Sequence, residues 1–550
     1  MFAIWRTAIN PEPLEEVRSV IALSAPVFLA AIVVAAGARS SGRPALDPFI
    51  IAVQVAVAGL LVVAVLRQPQ APFFLRPDCC DRYLVSSPNL VAGVVIGVLL
   101  TAVAVRPPER LFPASARDAL ERARRLRWLA LLIAVAATVI WLLPSVNTDG
   151  TLPKAGSLAS THIPVQGEDY FAAVNGRTPL VDYISWYANL LPILLEPILK
   201  AVGPSITSFS ISMCVLSAIA MAAIYGMFVQ VTRGVWSALA LYVPWVALSM
   251  YPWMDTGTYR ESNGIYYGVF PARYLGPFLL AWLCALWLRG RRIPIFALFG
   301  VAGLTVLNNY EFGVGALLAL IAAVVAGWDR SLPMRRRLTD LVLQGGAGLL
   351  AALALVCTIT LVRTGELPDF SLLTYYSRLF LRESFGLAPM SSLGLHWALY
   401  ATYSAVLVFT AVRYVRREPD RVLTGMLAFF GVFGLITGMY FVGRSLQIQL
   451  ILLFPAWGLA LALAAWTAAT SLRAANSDRV RLRRLLIPAC AALIGFGVMV
   501  AAIARLPQPQ QQIDRLRAGG SAPDLKPVEQ LVESWTAPGE HILLIGTTPE

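Results

Sequence analysis

Long apolar runs separated by short polar loops dominate this chain. A run of about 17 to 25 apolar residues can cross a hydrocarbon layer about 30 Å thick as a helix, which rises about 1.5 Å per residue. The pattern predicts about fourteen spans, near residues 19–37, 49–66, 89–105, 127–143, 206–232, 235–251, 272–288, 293–307, 313–327, 338–362, 396–412, 423–442, 448–470 and 485–504. We therefore predict an all-α polytopic membrane protein.

The composition excludes a soluble protein. The chain has 550 residues, of which 58% are hydrophobic and 14% charged, whereas soluble domains carry about 25% charged residues. The six cysteines do not form a disulfide framework, because four lie inside apolar runs and Cys79 and Cys80 are adjacent. Walker loops, dinucleotide fingerprints and serine nucleophile elbows are not found in the sequence.

Arginine placement predicts the orientation of the spans. The formal net charge is +13, and its arginines gather in the loops after the third, seventh, ninth, eleventh and thirteenth predicted spans. These loops all fall on one side, which we predict to be cytoplasmic. The first three spans fit less well, since Arg67, Arg76 and Arg82 would face outward. The excess charge therefore indicates topology and contact with anionic lipids, and no nucleic acid is expected.

This topology leaves four sizeable stretches outside: 144–205, 252–271, 363–395 and 505–550. The last reads as a short helix at 527–535 followed by an apolar strand at 541–546. One strand cannot form a sheet. It either pairs with another outer loop or begins a small C-terminal α/β domain.

The first outer stretch holds the most informative motif, a pair of acids at Glu168 and Asp169. They precede an Asn175-Gly176 helix stop, and Thr178-Pro179 predicts the start of a second helix over 180–202, lying along the membrane surface. A carboxylate at the boundary between lipid and water can accept a proton from a hydroxyl within about 3 Å. The alternative is purely structural, because acids favour helix N-termini.

These features resemble the C-type (GT-C) fold of integral-membrane glycosyltransferases, which take sugars from polyprenyl-phosphate carriers. The acidic pair, the surface helices after it and the run at 175–183 carry the resemblance. It implies a catalytic core at 127–504, accessory spans at 1–126 and an extracytoplasmic segment at 505–550. It also implies that one acid is the base that activates the acceptor. We favour Asp169, with Glu168 as its support or as a metal ligand, and a divalent metal stays open.

A phosphate leaving group calls for a cation, and outward arginines are the candidates. Arg444 ranks first because Gly443-Arg444-Ser445 resembles a motif near the end of related bacterial enzymes, although a snorkelling interfacial arginine is the alternative. The other predicted substrate-binding residues are Arg260, Arg378, Arg382, Glu311, Arg177 and Asp182. Glu311 interrupts an apolar stretch at Asn308-Asn309-Tyr310, which is either a polar cavity wall or a short outer turn.

The sequence thus predicts an inverting glycosyltransferase of a plasma membrane, with an alanine- and arginine-rich composition typical of a GC-rich bacterium. Its partners would be a polyprenyl-phosphate sugar donor, a cell-envelope glycan or lipid acceptor, and membrane lipids. The active site would be extracytoplasmic. Two alternatives are a flippase for lipid-linked sugars, which the scarcity of charge inside the spans disfavours, and a non-catalytic membrane scaffold.

Overall fold

The computed structural model of the protein describes residues 126–142, 146, 167–250, 269–328, 331, 333–381, 395–442, 450 and 452–473. This part of the chain is predominantly α-helical. It contains no β-strand, and its one β-bridge joins Pro179 to Tyr183. The all-α class is therefore confirmed over the described residues, whereas the predicted C-terminal α/β domain lies outside them.

Thirteen α-helices occur in the described residues. They are α1 (Arg127–Leu142), α2 (167–174), α3 (Leu191–Val202), α4 (Ile206–Thr232), α5 (Val235–Met250), α6 (Val269–Leu288), α7 (Ile295–Asn308), α8 (Tyr310–Ala326), α9 (Met334–Thr364), α10 (Tyr375–Leu381), α11 (Leu395–Val415), α12 (Arg421–Gly438) and α13 (Phe454–Arg473). A short 3-10 turn precedes α10 at Phe370–Thr374, and another follows α12 at Met439–Phe441.

Ten of the fourteen predicted spans correspond to helices of the structure within a few residues. Four helical segments are long and apolar enough to cross a membrane: Ile206–Thr232, Val269–Leu288, Met334–Thr364 and Arg421–Phe441. Each of the other six matches contains a shorter apolar helical segment of 10–17 residues. The spans predicted at 19–37, 49–66, 89–105 and 485–504 lie outside the described residues, so the total of fourteen stays a prediction.

The bundle packs around α12, whose residues are almost all buried. Its closest neighbours are α8 and α11, while α4 packs on α6 and α7 on α9. Small residues allow the close approach. A Cβ placed on Gly434 of α12 would lie 2.0 Å from the Tyr403 ring of α11, and one on Gly348 of α9 would lie 2.3 Å from the Phe296 carbonyl oxygen. Helices that cannot rely on water to drive association commonly pack through such residues.

The helices share two ends. The first end holds the N-termini of α4 and α6, the turn between α7 and α8, and the C-termini of α9 and α12. The second end holds the C-termini of α4, α6 and α8 and the N-terminus of α12. Along the 18 residues of α12, the two ends are separated by about 27 Å, close to the hydrocarbon thickness of a bilayer. The acidic pair of α2 lies at the first end.

The second helix predicted in the first outer stretch begins later than expected. The sequence predicted a helix over 180–202, but the structure has an irregular loop from 177 to 190 and α3 only from Leu191. Thr178 does not cap a helix: its main-chain N–H donates instead to Asp182 Oδ2 at 2.6 Å. The local hydrogen bond of an aspartate closes a turn in competition with the helix, and Thr178-Pro179 begins that turn.

Candidate active site

The two acids of the predicted motif have different surroundings. Glu168 and Asp169 are consecutive residues near the start of α2, so their side chains project about 100° apart. Glu168 is exposed, whereas Asp169 is 4% exposed. An exposed acid at a helix N-terminus needs no special explanation, but a buried one must be held by hydrogen bonds. The structure therefore distinguishes two residues that the sequence could not separate.

Asp169 is held by the loop that follows α2. The Ser185 hydroxyl lies 2.6 Å from Asp169 Oδ2, and the Trp186 main-chain N–H donates to the same oxygen at 3.1 Å. The Tyr183 hydroxyl donates to the Asp169 main-chain oxygen at 2.7 Å. These contacts fix both the backbone and the carboxylate of Asp169, so its position does not depend on a bound ligand.

The same surroundings give Asp169 an unusual proton affinity. Burial raises the pKa of Asp169 from 3.8 to about 7, against the hydrogen bonds from Ser185 and Trp186, which lower it, while the nearby Glu168 carboxylate adds to the rise. Near neutral pH the carboxyl group is thus about half ionised. A pKa close to the working pH is what an efficient general base requires.

The 177–183 loop is built by local hydrogen bonds. Asp182 Oδ2 accepts from the Thr178 main-chain N–H, and the Asp182 N–H returns a bond to the Thr178 carbonyl at 2.9 Å. Leu180, which is buried, has a φ of 66°, a left-handed conformation that a leucine seldom adopts. Such backbone strain persists only where surrounding contacts enforce it. This turn places Tyr183 and Ser185 within hydrogen-bonding distance of Asp169.

Asn308, at the end of α7, anchors the rest of the loop. Its Oδ1 accepts from the main-chain N–H groups of Leu190 and Leu191, at 3.1 Å each, which caps α3 from a different helix. Its Nδ2 donates to the Ala272 carbonyl at 3.1 Å. The next residue, Asn309, caps α8 through the Phe312 N–H. The Asn308-Asn309 interruption is therefore a turn between two helices that ties the loop to α6 and α7.

The C-terminus of α9 anchors the loop from the other side. Arg363 Nη1 lies 2.5 Å from Glu196 of α3, and its Nε donates to the Thr178 hydroxyl at 3.2 Å. Glu196 also accepts from Lys200 at 2.7 Å. Burial acts to raise the pKa of Glu196, but the hydrogen bonds from Lys200 and Arg363 outweigh it, so that the pKa is lowered overall. This ion-pair cluster holds α3 and the 177–183 loop together.

A buried guanidinium lies on the far side of the same loop. Arg273, the fifth residue of α6, is 3% exposed. Its Cζ lies 5.4, 5.2 and 4.3 Å from the ring centroids of Tyr187, Phe312 and Tyr440. Among the described residues Arg273 forms no ion pair, and its Nε and Nη1 have no hydrogen-bond partner. It interacts electrostatically with the Tyr440 hydroxyl and the Glu311 carboxylate, but neither forms an ion pair with it, and a buried charge without a contacting anion is costly. Arg273 is thus a candidate for binding an anionic group.

Tyr187 connects the acid and the guanidinium. Its ring lies over Arg273, while its main-chain N–H is within hydrogen-bonding range of Asp169. Helix α10 packs against the same loop. The Tyr376 ring of α10 stacks on Trp186 with centroids 4.3 Å apart, and Ser377 Oγ donates to Glu311 at 3.1 Å. Burial raises the pKa of Tyr376, and the Asp169 carboxylate adds to that rise. A buried carboxyl group, a buried guanidinium and several aromatic rings therefore lie around one loop.

Comparison with known proteins adds little to this geometry. No known protein family and no curated protein matches the chain. The structure is similar to the crystal structure of ArnT from Cupriavidus metallidurans bound to undecaprenyl phosphate, with a TM-score of 0.34 and 12% sequence identity, over 70% of this chain and 79% of that chain. At such a TM-score this likeness carries no argument about the function of the chain.

The predicted substrate-binding residues are dispersed. Glu311 is half-buried beside Ser377 and close enough to Arg273 to interact with it electrostatically, so it borders the candidate site. Arg378 is exposed and donates to the Ser371 carbonyl at 3.2 Å within its own turn. Arg177 and Asp182 lie 3.8 Å apart as a pair at the loop surface. A substrate contact of any of them stays a prediction.

Three predicted cations, Arg444, Arg260 and Arg382, lie outside the described residues. Arg273 was not among the predictions, because it was counted as part of an apolar span. The available signal was a single arginine in the otherwise apolar run of 269–288, since an ionisable residue inside such a run is a functional candidate by default.

The acidic pair does not form a chelating site. Glu168 is exposed and Asp169 is buried, with its Oδ2 already accepting two hydrogen bonds. Within the described ranges no group of three or more His, Cys, Asp or Glu side chains is close enough to hold a metal ion.

Proposed function

We propose that this chain is a membrane glycosyltransferase that moves a sugar from a polyprenyl-phosphate donor to a hydroxyl of a cell-envelope glycan or lipid. The observation that carries the proposal is that Asp169 and Arg273 lie on the two sides of Tyr187 in the 177–190 loop, at one end of an apolar helix bundle. A base suited to neutral pH and a desolvated cation match the two charges that such a transfer develops.

Asp169 would be the general base. It would accept the proton of the acceptor hydroxyl while that oxygen attacks the anomeric carbon of the donor sugar. The bond between the anomeric carbon and the phosphate oxygen breaks, and its electron pair leaves with the phosphate. Because the attack is direct, the configuration at the anomeric carbon inverts. The products are the new glycoside, the polyprenyl phosphate and a protonated Asp169, which returns its proton to water.

Arg273 would hold the departing phosphate. A guanidinium binds phosphate through two parallel N–H bonds, and these strengthen as charge develops on the leaving oxygen. Nε and Nη1, which have no hydrogen-bond partner among the described residues, are available to donate to phosphate oxygens. The rings of Tyr187, Phe312 and Tyr440 keep water from the guanidinium, which raises the value of the contact.

Glu168 would act on Asp169 rather than on the substrate. Its negative charge lies near enough to raise the pKa of Asp169, and its own side chain is exposed. Replacing Glu168 by glutamine would then lower the pKa of the base slightly and leave the base itself in place. We therefore expect substitution of Asp169 to reduce activity more than substitution of Glu168.

The test is sugar transfer by the purified full-length chain in detergent, supplied with a panel of polyprenyl-phosphate sugars and a lipid-extract acceptor. Release of polyprenyl phosphate from one donor is the expected result. The matched pair of variants is Asp169→Asn, for which we expect a loss of at least about 100-fold, and Glu168→Gln, for which we expect a loss below about tenfold. Movement of a donor across reconstituted vesicles without any release would instead assign the chain as a flippase.

A further inference from the structure

A charged cavity lies at the opposite end of the bundle from Asp169. It has a volume of about 580 Å³ and lies where the C-termini of α4 and α6 meet the N-terminus of α12. Its polar lining consists of Gln230, Arg233, Arg289, Asp420 and Arg421. Four apolar residues of the same three segments complete the wall. The volume is within the range of small-molecule sites, about 300–1,000 Å³.

The cavity carries an excess of positive charge. Three guanidinium groups face a single carboxylate, that of Asp420. Arg289 is half-buried and interacts electrostatically with both Asp420 and Arg233, the first attractively and the second repulsively. An anion placed among the three guanidinium groups would remove this repulsion.

Main-chain contacts hold the arginines in place. Arg289 Nη2 donates to the Gln230 carbonyl, and Arg421 Nε donates to the Gly327 carbonyl at 2.7 Å. A guanidinium has five N–H donors, so this bond holds the Arg289 side chain without using all of its donors. Arg233 ends α4 with a φ of 58°, at a position where glycine is the usual residue. Arg233 thus adopts an unfavourable left-handed conformation at a position where its side chain lines the cavity.

We propose that this cavity binds the phosphate group of an anionic amphiphile. Arginines bind phosphate oxygens through strong charge-assisted hydrogen bonds, and basic pockets between the ends of membrane helices bind lipid headgroups. The apolar part of the lining fits the carbon atoms next to such a phosphate. The same chemistry is offered by a phospholipid of the membrane and by a soluble phosphate ester, and the test below separates them.

The experiment measures binding to the purified full-length chain in nonionic detergent. Retention of phosphatidylglycerol is compared with that of phosphatidylcholine by native mass spectrometry, and glycerol 3-phosphate is titrated by calorimetry. We expect saturable binding of phosphatidylglycerol, weakened at least about tenfold in Arg233→Gln/Arg289→Gln. Binding of glycerol 3-phosphate with the same dependence on these arginines would identify a soluble ester as the ligand.

Two further variants keep the test decisive. Arg291→Gln/Arg292→Gln removes the same charge from exposed positions of the same loop that do not line the cavity, and we expect it to bind as the wild type does. Asp420→Asn should bind the anion more tightly, because it removes the opposing charge and asparagine can still cap α12 through the Leu423 N–H. This gain also cannot be produced by misfolding.

Three results would overturn the proposal. The first is equal retention of the two phospholipids together with no binding of glycerol 3-phosphate. The second is an equal loss of binding in the two double variants, which would indicate a general effect of surface charge. The third is unchanged or weaker binding by a folded Asp420→Asn protein.

Discussion

The serine that contacts Asp169 offers the sharpest perturbation of the proposed base. Ser185 Oγ lies 2.6 Å from Asp169 Oδ2 and 2.7 Å from the Ala188 carbonyl oxygen, but it has a single proton. When Asp169 is ionised, that proton stabilises the carboxylate. When Asp169 is protonated, the hydroxyl can turn to Ala188 and accept from the acid instead. Ser185→Ala removes the first contact, so the pKa of Asp169 must rise.

The size of the rise follows from the strength of the bond. A hydrogen bond to a charged group contributes about 1.5–3 kcal/mol, and about 1.36 kcal/mol corresponds to one pKa unit. Because Ser185 can also hydrogen-bond to the protonated acid, we take the lower end of this energy range, which corresponds to a pKa rise of about one unit. The pKa of Asp169 would move from about 7 to about 8. At pH 7 the ionised fraction falls from about one half to about one tenth, so the rate should fall about fivefold.

The assay is the pH profile of kcat/KM for sugar transfer between pH 5 and 10. An ionised base is required, so activity rises with pH through the pKa of Asp169 and then reaches a plateau. We expect the midpoint of that rise to shift upward by about one unit in Ser185→Ala, with an unchanged plateau. The control is Ser404→Ala, which removes a hydroxyl bonded at 2.7 Å to the Tyr400 carbonyl in α11. It should not shift the midpoint.

Two outcomes would refute this reasoning. A Ser185→Ala profile that coincides with the wild-type profile would mean that Asp169 is not the group that titrates. A uniform drop in rate at every pH would mean that Ser185 acts through folding or substrate contact rather than through the proton affinity of Asp169.

Three other predictions follow from the same structure. Arg273→Lys keeps the charge but loses the planar pair of donors, so we expect the KM for the donor to rise at least about tenfold in steady-state kinetics; an unchanged KM would contradict the phosphate role. Gly434→Ala places a Cβ 2.0 Å from a tyrosine ring, which should lower stability by about 1–3 kcal/mol in thermal unfolding, whereas Gly346→Ala, with no atom within 4 Å of its Cβ, should not destabilise the protein. A membrane-impermeant maleimide added to intact cells should label Arg177→Cys and not Arg291→Cys, both made with Cys79→Ser/Cys80→Ser because the topology also predicts that native pair to face outward, and the reverse result would place the acidic motif in the cytoplasm.

The apolar spans could be predicted because their signal is local. A run of apolar residues of sufficient length needs no distant partner to be recognised, and helices α4, α6, α7, α8 and α9 begin and end within about four residues of the predicted bounds. The helix stop at Asn175-Gly176 was likewise confirmed, since Gly176 has a φ of 85°. The predicted helix over 180–202 was confirmed from Leu191 onward and wrong over 180–190, where Asp182 and Thr178 hydrogen-bond to each other in a turn.

The contacts that assemble the site could not be predicted. Asn308 caps α3 across 118 and 117 residues of sequence, and Arg363 reaches Glu196 across 167. Neither contact leaves a pattern in its own segment. Asp169 was favoured over Glu168 in the sequence only for its shorter side chain and its neighbours, whereas the physical difference between the two acids is burial, which depends on the packed loop.

The most direct test of the account is release of polyprenyl phosphate by Asp169→Asn at saturating donor and acceptor. Asparagine keeps the shape and most hydrogen bonds of the side chain but cannot take a proton. We predict that this variant binds the donor as tightly as the wild type and releases no carrier above background across pH 5 to 10. Release at the wild-type rate would contradict the role of Asp169 as the base.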